Sequence, residues 1–484
     1  MAPYAVALAA QLIFLGYMKD DAYIEYRYAT NAAHGHGLTF NVGDAPVEGF
    51  TSFLWTVFLI VPAWLHLPML AFAKLAGAAA LVGCIVVTAR LVGARGGDER
   101  AVQVARWLVA TNASLLVWAQ SGMETVQTAF VVVAAVYFLE LRRHWPAMLL
   151  AAAAALLRPE CHLVLFLVGA VVVWRRAPLP VLVALLAVGA VHYWRWRYFG
   201  GLLPNTALVK SGRLIWRHGL RQLGELMVSS LAGICIALTI VEAWRKRDAV
   251  AVISAAAVLL FCVYLVRIGK DEMFLMRLFI PVWPLALAMA AERLARGWRF
   301  LPVAVCIAGI LWLGPRLPTV GYWLLGERSH VPLAQLMKKH ARPGDVVIFQ
   351  DLGQTPWAAM ELRFVDPIGL VDSVIGHVRY REHSSPFSMA LTEKGQAEVV
   401  DHLFALDPKL IAFVAYPEQY AADVRRSADA ARTPAELAAV FEPFVLRNPY
   451  YCGLYDDGRF RARFRFVDVI RRKDNYWFVL YERI

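Results

Sequence analysis

Long apolar runs separated by short polar connections fill the first two thirds of the chain, and the pattern changes near residue 330. Residues 2–18, 70–92, 104–119, 125–141, 145–157, 162–174, 179–194, 226–243, 250–266, 278–294 and 301–317 each read as a helix. These runs are apolar all round rather than along one stripe, so they suit lipid and not water. A soluble domain of this size could bury only a few such helices. The pattern therefore predicts a polytopic α-helical membrane protein with about eleven transmembrane helices. The first run has no basic segment before it and no small-residue cleavage site after it, and is expected to stay as a helix.

From about residue 330 the periodicity becomes that of a soluble α/β domain. Residues 346–349, 363–365, 410–414, 460–466 and 476–481 alternate or cluster like strands, whereas 331–340 and the alanine-rich 420–440 read as helices. The expected division is a membrane domain over 1–328 and an α/β domain over 329–484, the latter long enough to fold alone.

Composition agrees with the membrane reading: 59% of residues are hydrophobic and 18% charged. The net charge of +12 is spread over short connections rather than one face, which argues for membrane orientation and against nucleic acid as a partner. Treating residues 53–67 as an interfacial or re-entrant helix leaves five basic clusters on one side: Arg90 to Arg106, Arg142/Arg143, Arg175/Arg176, Arg245/Lys246/Arg247 and Arg293 to Arg299. By the positive-inside rule that side is the cytoplasm, which sets the N-terminus inside and the C-terminal domain outside. Cys84, Cys161, Cys235, Cys262 and Cys306 lie in or beside apolar runs and Cys452 stands alone. Neither a disulfide framework nor a zinc site is indicated.

The same orientation gathers the polar clusters on the outer face. They are Asp20/Asp21 with the loop 19–52, Gly122-Met123-Glu124, Arg158-Pro159-Glu160, Pro204-Asn205-Thr206 with Lys210, and Lys270-Asp271-Glu272 with Arg277. An acid pair at a helix end can simply mark the exit from the membrane. Here the loop after it mixes aromatics, amides, glycines and acids, which suits a carbohydrate: hydroxyls need amide and carboxylate partners, and sugar C–H faces stack on rings. One acid of the pair can act as base while the other holds a hydroxyl, a cation or a backbone amine. His34 and His36 lack a third spaced ligand and read as polar loop residues, with a divalent cation near Asp20/Asp21 left open. Charges such as Arg158, Lys210, Asp271 and Arg277 are costly in lipid, and a cationic pocket at that depth suits a lipid phosphate. Arg195, Arg197 and Arg217 read instead as interfacial snorkelling residues.

The order of motifs carries a resemblance. Asp20-Asp21-Ala22-Tyr23-Ile24, Arg27-Tyr28, Gly35-His36-Gly37-Leu38 with Phe40-Asn41, and Glu48-Gly49-Phe50-Thr51-Ser52 resemble the first periplasmic loop of GT-C membrane glycosyltransferases. Ser121-Gly122-Met123-Glu124-Thr125, Leu157-Arg158-Pro159-Glu160, Leu203-Pro204-Asn205-Thr206 through Lys210, Gly269-Lys270-Asp271 through Arg277, and Asp366-Pro367-Ile368-Gly369 extend it over nearly the whole chain. Within that class the chain is most similar to the terminal arabinofuranosyltransferases of mycobacterial cell-wall synthesis.

The resemblance implies an inverting transfer from a polyprenyl-phosphate sugar to a glycan, glycolipid or protein acceptor on the periplasmic face of the bacterial inner membrane. It implies Asp20 and Asp21 as the base candidates, and Lys210, Arg277 and Arg158 on the lipid phosphate, where they offset charge developing in the transition state. Asp21, one residue further from the membrane end of the helix, is the expected base, with Asp20 orienting. Tyr23, Tyr26, Arg27, His36, Asn41, Glu48, Asn205 and Asp271 are the expected substrate contacts. Where relatives tend to show Gly-Gly-Asp, this chain has Gly269-Lys270-Asp271, which puts the role of Asp271 in doubt. Two alternatives stand beside this reading: a hexose or aminoarabinose donor with lipid A or protein as acceptor, and a lipid-sugar transporter. A transporter would gather polar groups at the bilayer midplane and show internal repeats, whereas these cluster at one boundary.

Overall fold

A computed structural model describes the chain apart from residues 211–215, 229–231, 269–272, 298–299, 315–328, 385–390, 418–419, 447 and 473–475, and the side chains of Lys210, Leu301 and Trp312. In chain order the helices are α1 (Ala2–Ile13), α2 (Ala22–Ala33), α3 (Phe53–Trp64), α4 (Met69–Ala94), α5 (Glu99–Ala110), α6 (Ala113–Trp118), α7 (Thr125–Glu140) and α8 (His144–Leu157). Then follow α9 (His162–Trp174), α10 (Pro178–Phe199), α11 (Asn205–Lys210), α12 (Trp216–Val228), α13 (Ala232–Lys246), α14 (Ala249–Ile268), α15 (Trp283–Arg296) and α16 (Leu301–Leu313).

The apolar runs are largely helical where they are described, but among the described residues fewer than eleven helices are long enough to span. The runs 226–243 and 301–317 lie partly outside the described residues. Among the described residues, Met69–Ala94, Pro178–Phe199, Ala249–Ile268 and Arg277–Arg296 are long and apolar enough to cross a bilayer alone. Ala2–Ile13, Phe53–Trp64, Thr125–Glu140, His144–Leu157, Pro159–Trp174 and Pro302–Leu311 are shorter apolar helices. The run 104–119 breaks because the Asn112 side chain accepts from the Leu115 amide at 3.1 Å, which ends α5 and caps α6. The run 278–294 opens as a 3-10 turn, Arg277–Val282, containing Pro281. Helix α3 has 12 residues and spans only about 18 Å, well short of an apolar core of about 30 Å. The same length arithmetic applies to α1.

Among the described residues five strands form one sheet of order β2-β1-β3-β5-β4. β1 (Val346–Phe349), β2 (Arg363–Val365) and β3 (Leu410–Ala415) are parallel, and β5 (Trp477–Arg483) runs antiparallel between β3 and β4 (Phe464–Arg471). β1 and β3 are buried along their whole length, as expected of parallel strands covered on both faces. Two boundaries differ from the sequence reading. The last but one strand starts at Phe464, because Asp457 caps a short helix Gly458–Arg463 where strand was expected. The stretch 420–440 divides into helices Ala421–Ala430 and Pro434–Leu446, the second opening at Pro434.

The loops leaving β1 and β2 rest on the polar loop that follows α1. Arg27, 1% exposed, donates to the carbonyls of Phe40 at 2.6 Å and Leu362 at 2.8 Å, to that of Pro356, and to Asn41 Oδ1 at 3.2 Å. Asn41 completes the clamp by pairing with both the amide and the carbonyl of Phe364, at 3.0 and 2.9 Å. Arg27→Met removes a donor from three buried carbonyls, of which that of Phe40 keeps Asn31 Nδ2 and that of Pro356 keeps the Ala359 amide, so it is expected to lower stability by about 1–3 kcal/mol. Thermal unfolding of purified protein checks this, and an unchanged midpoint would show that the clamp contributes nothing.

Candidate functional site

Asp20 and Asp21 sit between α1 and α2, but their carboxylates have different surroundings. Asp20 Oδ2 accepts from the Gly353 amide at 3.1 Å and Oδ1 from the Gln354 amide at 2.8 Å, with His330 Nε2 3.9 Å away. The acid therefore joins the membrane part to the start of helix Gln354–Ala358. The approach is so close that a Cβ on Gly353 would lie 2.2 Å from Asp20 Cγ. Gly353→Val is accordingly expected to displace Asp20 and reduce both thermal stability and activity, checked by unfolding and turnover measured on the same sample.

Asp21 is the N-cap residue of α2 and half-buried, and its side chain makes no cap bond. Among the described residues its carboxylate makes no hydrogen bond or ion pair. One helical turn on, Glu25 occupies the same face of α2. Glu25 is 4% exposed; one oxygen accepts from Ser52 Oγ and the other, Oε2, is buried without a hydrogen-bond partner. Glu124 lies near enough for its charge to act on Glu25, and its own Oε2 is likewise buried without one. Arg158 Nη1 donates to Glu124 Oε1 at 2.6 Å and Arg158 Nε to Glu160. Three buried acids thus share one guanidinium. Burial first and the Glu124 charge second push the Glu25 carboxyl well above the usual carboxylate range.

An aromatic wall stands beside the acids. Tyr23 and Tyr26 pack edge-to-face at 5.4 Å, and Trp357 from the sheet-bearing part lies 5.9 Å from the Tyr26 ring and 6.4 Å from Tyr23. Tyr23 is pushed up to about 12 by burial and by the Asp20 charge, against the bond to Gln354. Tyr26 donates to the Gly122 carbonyl at 3.1 Å, where Gly122 has φ +80° and a Cβ would meet the Tyr26 hydroxyl at 2.5 Å. Arg277, 8% exposed, lies 5.8 Å over the Trp118 ring with Nη1 3.9 Å from Met123 Sδ. It therefore meets the same Gly122-Met123-Glu124 loop from the other side.

The structure divides the expected site residues. It brings Asp20, Asp21, Tyr23, Tyr26, Arg158 and Arg277 together through α2 and the loop before α7. Arg158 is held between Glu124 and Glu160, whose charges its guanidinium neutralises. Arg27 and Asn41 bind the sheet-bearing part. Glu48 is held by Arg195 at 2.8 and 2.9 Å, which corrects the reading of Arg195 as a snorkelling residue: it is 7% exposed and paired. Asn205 donates to the carbonyls of Gly369, Leu370 (3.3 Å) and Asp372 (3.0 Å). His36 is exposed. The Lys210 side chain, Lys270, Asp271 and Glu272 lie outside the described residues. Among the described residues no group of three or more His, Cys, Asp or Glu is arranged to hold a metal ion.

Glu25, Ser52 and Trp357 were missed in the sequence. The spacing of Asp21 and Glu25 on one helix face was a usable signal; the arrival of Trp357 from more than 300 residues away had none.

Comparison with known proteins bears mainly on the fold. Residues 322–480 match the family model described as a domain of unknown function, DUF8728. No curated protein matches the chain. Among solved structures, ArnT from Cupriavidus metallidurans in the apo state aligns with a TM-score of 0.57 at 15% identity, over 87% of this chain and 93% of that one. ArnT bound to undecaprenyl phosphate aligns with a TM-score of 0.57 at 16% identity over the same shares. The arabinofuranosyltransferase AftD from Mycobacteria aligns with a TM-score of 0.50 at 14% identity, over 99% of this chain and 39% of that one. At such identities the likeness is one of fold.

Proposed function

We propose that this chain, whose fold is that of the GT-C membrane glycosyltransferases, moves a sugar from a polyprenyl phosphate to an acceptor hydroxyl at the outer face of the bacterial inner membrane. The observation that carries the reading is the Asp21 carboxylate: half-buried, without a bonded partner among the described residues, and set beside an aromatic wall. Asp21 takes the acceptor proton as the acceptor oxygen bonds to the anomeric carbon. The bond from that carbon to the phosphate oxygen breaks and polyprenyl phosphate leaves. Arg277 offsets the charge gathering on the phosphate, and the Lys210 ammonium is assigned the same task. Asp20 orients rather than reacts, because both its oxygens already accept amides. The sheet-bearing part is placed in the periplasm, where Trp357 roofs the acceptor side.

Arabinofuranose is the first candidate sugar, supported by the ordered motifs and by the likeness to AftD over almost the whole chain. The higher TM-score to ArnT favours a second reading, in which the donor is a hexose or aminoarabinose polyprenyl phosphate and the acceptor lipid A or protein. Purified protein in nanodiscs, supplied in parallel with polyprenyl-phosphate arabinofuranose, mannose and aminoarabinose, separates these. Release of polyprenyl phosphate with a glycosylated acceptor from the arabinose donor is the expected result. Turnover with another donor alone would move the assignment to that sugar, and transport into liposomes without covalent product would overturn transfer altogether. EDTA is expected to leave the rate unchanged.

A further inference from the structure

A cavity of about 690 Å³ opens at the end of α8 and α10 remote from the acids, lined by Arg142, Arg143, His144, Trp145, Arg176 and Leu179 among others. The 14 residues of α8 separate it from Arg158 by roughly 21 Å. Two helical hairpins build it in the same way. After α7 and after α9 the chain turns sharply through an arginine in the left-handed region, Arg142 at φ 55° and Arg176 at φ 61°, where glycine is the usual residue. Each turn then starts the next helix, and neither the α8 cap Arg143 nor the α10 cap Ala177 provides a side-chain capping bond. Pro146, Pro178 and Pro180 leave few free amides in these first turns, so the arginines carry the positive charge of the region.

The charge there is uncompensated. None of the lining residues is acidic, and Arg142, Arg143 and Arg176 are exposed, their side chains making no ion pair or hydrogen bond among the described residues. The nearby Glu140 is held by Arg95 at 2.9 Å. His144 Nε2 is buried with no hydrogen-bond partner. Above the arginines the surface turns apolar: Trp145, Leu149, Leu179 and Leu182 are exposed on adjoining faces of α8 and α10. An arginine ring under an apolar groove matches a phosphate under acyl chains, and tryptophan is at home at that depth.

We propose that this cavity holds the phosphate headgroup of an anionic membrane phospholipid, with its acyl chains along the exposed leucines of α8 and α10. The site is independent of the transfer reaction and stands or falls separately from it. The positive-inside reading puts it in the cytoplasmic leaflet.

The test uses the full chain in nanodiscs of phosphatidylcholine, titrated with phosphatidylglycerol, with bound lipid counted by native mass spectrometry. Wild-type protein is expected to retain phosphatidylglycerol, and R142Q/R143Q/R176Q to bind it roughly 100-fold more weakly, at about fivefold per arginine. Equal retention by the triple variant would overturn the proposal. Inorganic phosphate as effective as the lipid, or displacement by an acidic soluble protein in place of lipid, would overturn the lipid assignment. A photoactivatable phosphatidylglycerol on wild-type protein gives a second measure that needs no variant: labelling of the peptide around Trp145 is expected, and labelling only elsewhere would refute it.

Discussion

Asp21→Asn is expected to lower the rate of transfer by roughly 10²–10⁴-fold with the protein still folded, the range over which a positioned general base contributes. Asparagine keeps the size and the N-cap position but cannot take a proton. Asp20→Asn is expected to behave differently. Asp20 accepts two backbone amides with its two oxygens, and asparagine offers one acceptor, leaving the Gly353 or Gln354 amide unmet at a cost of about 1–3 kcal/mol. Its signature is a lower unfolding temperature with a partial loss of rate. Single-turnover assays and thermal unfolding on both variants decide the matter. A stable, fully active Asp21→Asn, or a fully folded Asp20→Asn that is the deader of the two, would reverse the roles.

The membrane character was legible because lipid demands helices apolar all round, and eleven runs of that kind could be read directly. Their lengths were not: Asn112 and Pro281 end or tighten helices inside runs that look continuous by hydropathy alone. The acid pair and the Tyr23/Tyr26 wall were readable because they are local to one helix. The partners of the other polar groups were not readable, for one physical reason. Arg27, Asn41, Glu48 and Asn205 have the chemistry that binds sugars, and the same chemistry satisfies buried backbone carbonyls and ion pairs when two parts of a chain meet. Their partners at Phe364, Leu362, Arg195 and Asp372 are far away in sequence, so no local pattern distinguishes the two uses.

Arg158 gives the second large effect, and here the buried acids set the sign. Arg158→Met removes the guanidinium shared by Glu124 and Glu160 beside Glu25, leaving three acids in a site closed to water. Breaking a buried ion pair from one side is expected to cost about 3–5 kcal/mol, and the variant is expected to unfold at a lower temperature. The acids can then remain buried only by holding protons. A carboxyl whose folded pKa is raised favours the folded state below its unfolded value and loses that contribution as pH rises through the folded value, the direction already set for Glu25. The deficit should therefore be smallest near pH 5 and grow toward pH 8, and adding Glu124→Gln and Glu160→Gln should recover much of it. If Arg158 held the lipid phosphate instead, Arg158→Met would fold normally at every pH and appear as a raised KM for donor or a lowered kcat. Unfolding midpoints at three pH values, set beside donor kinetics, separate a guanidinium that neutralises acids from one that binds substrate.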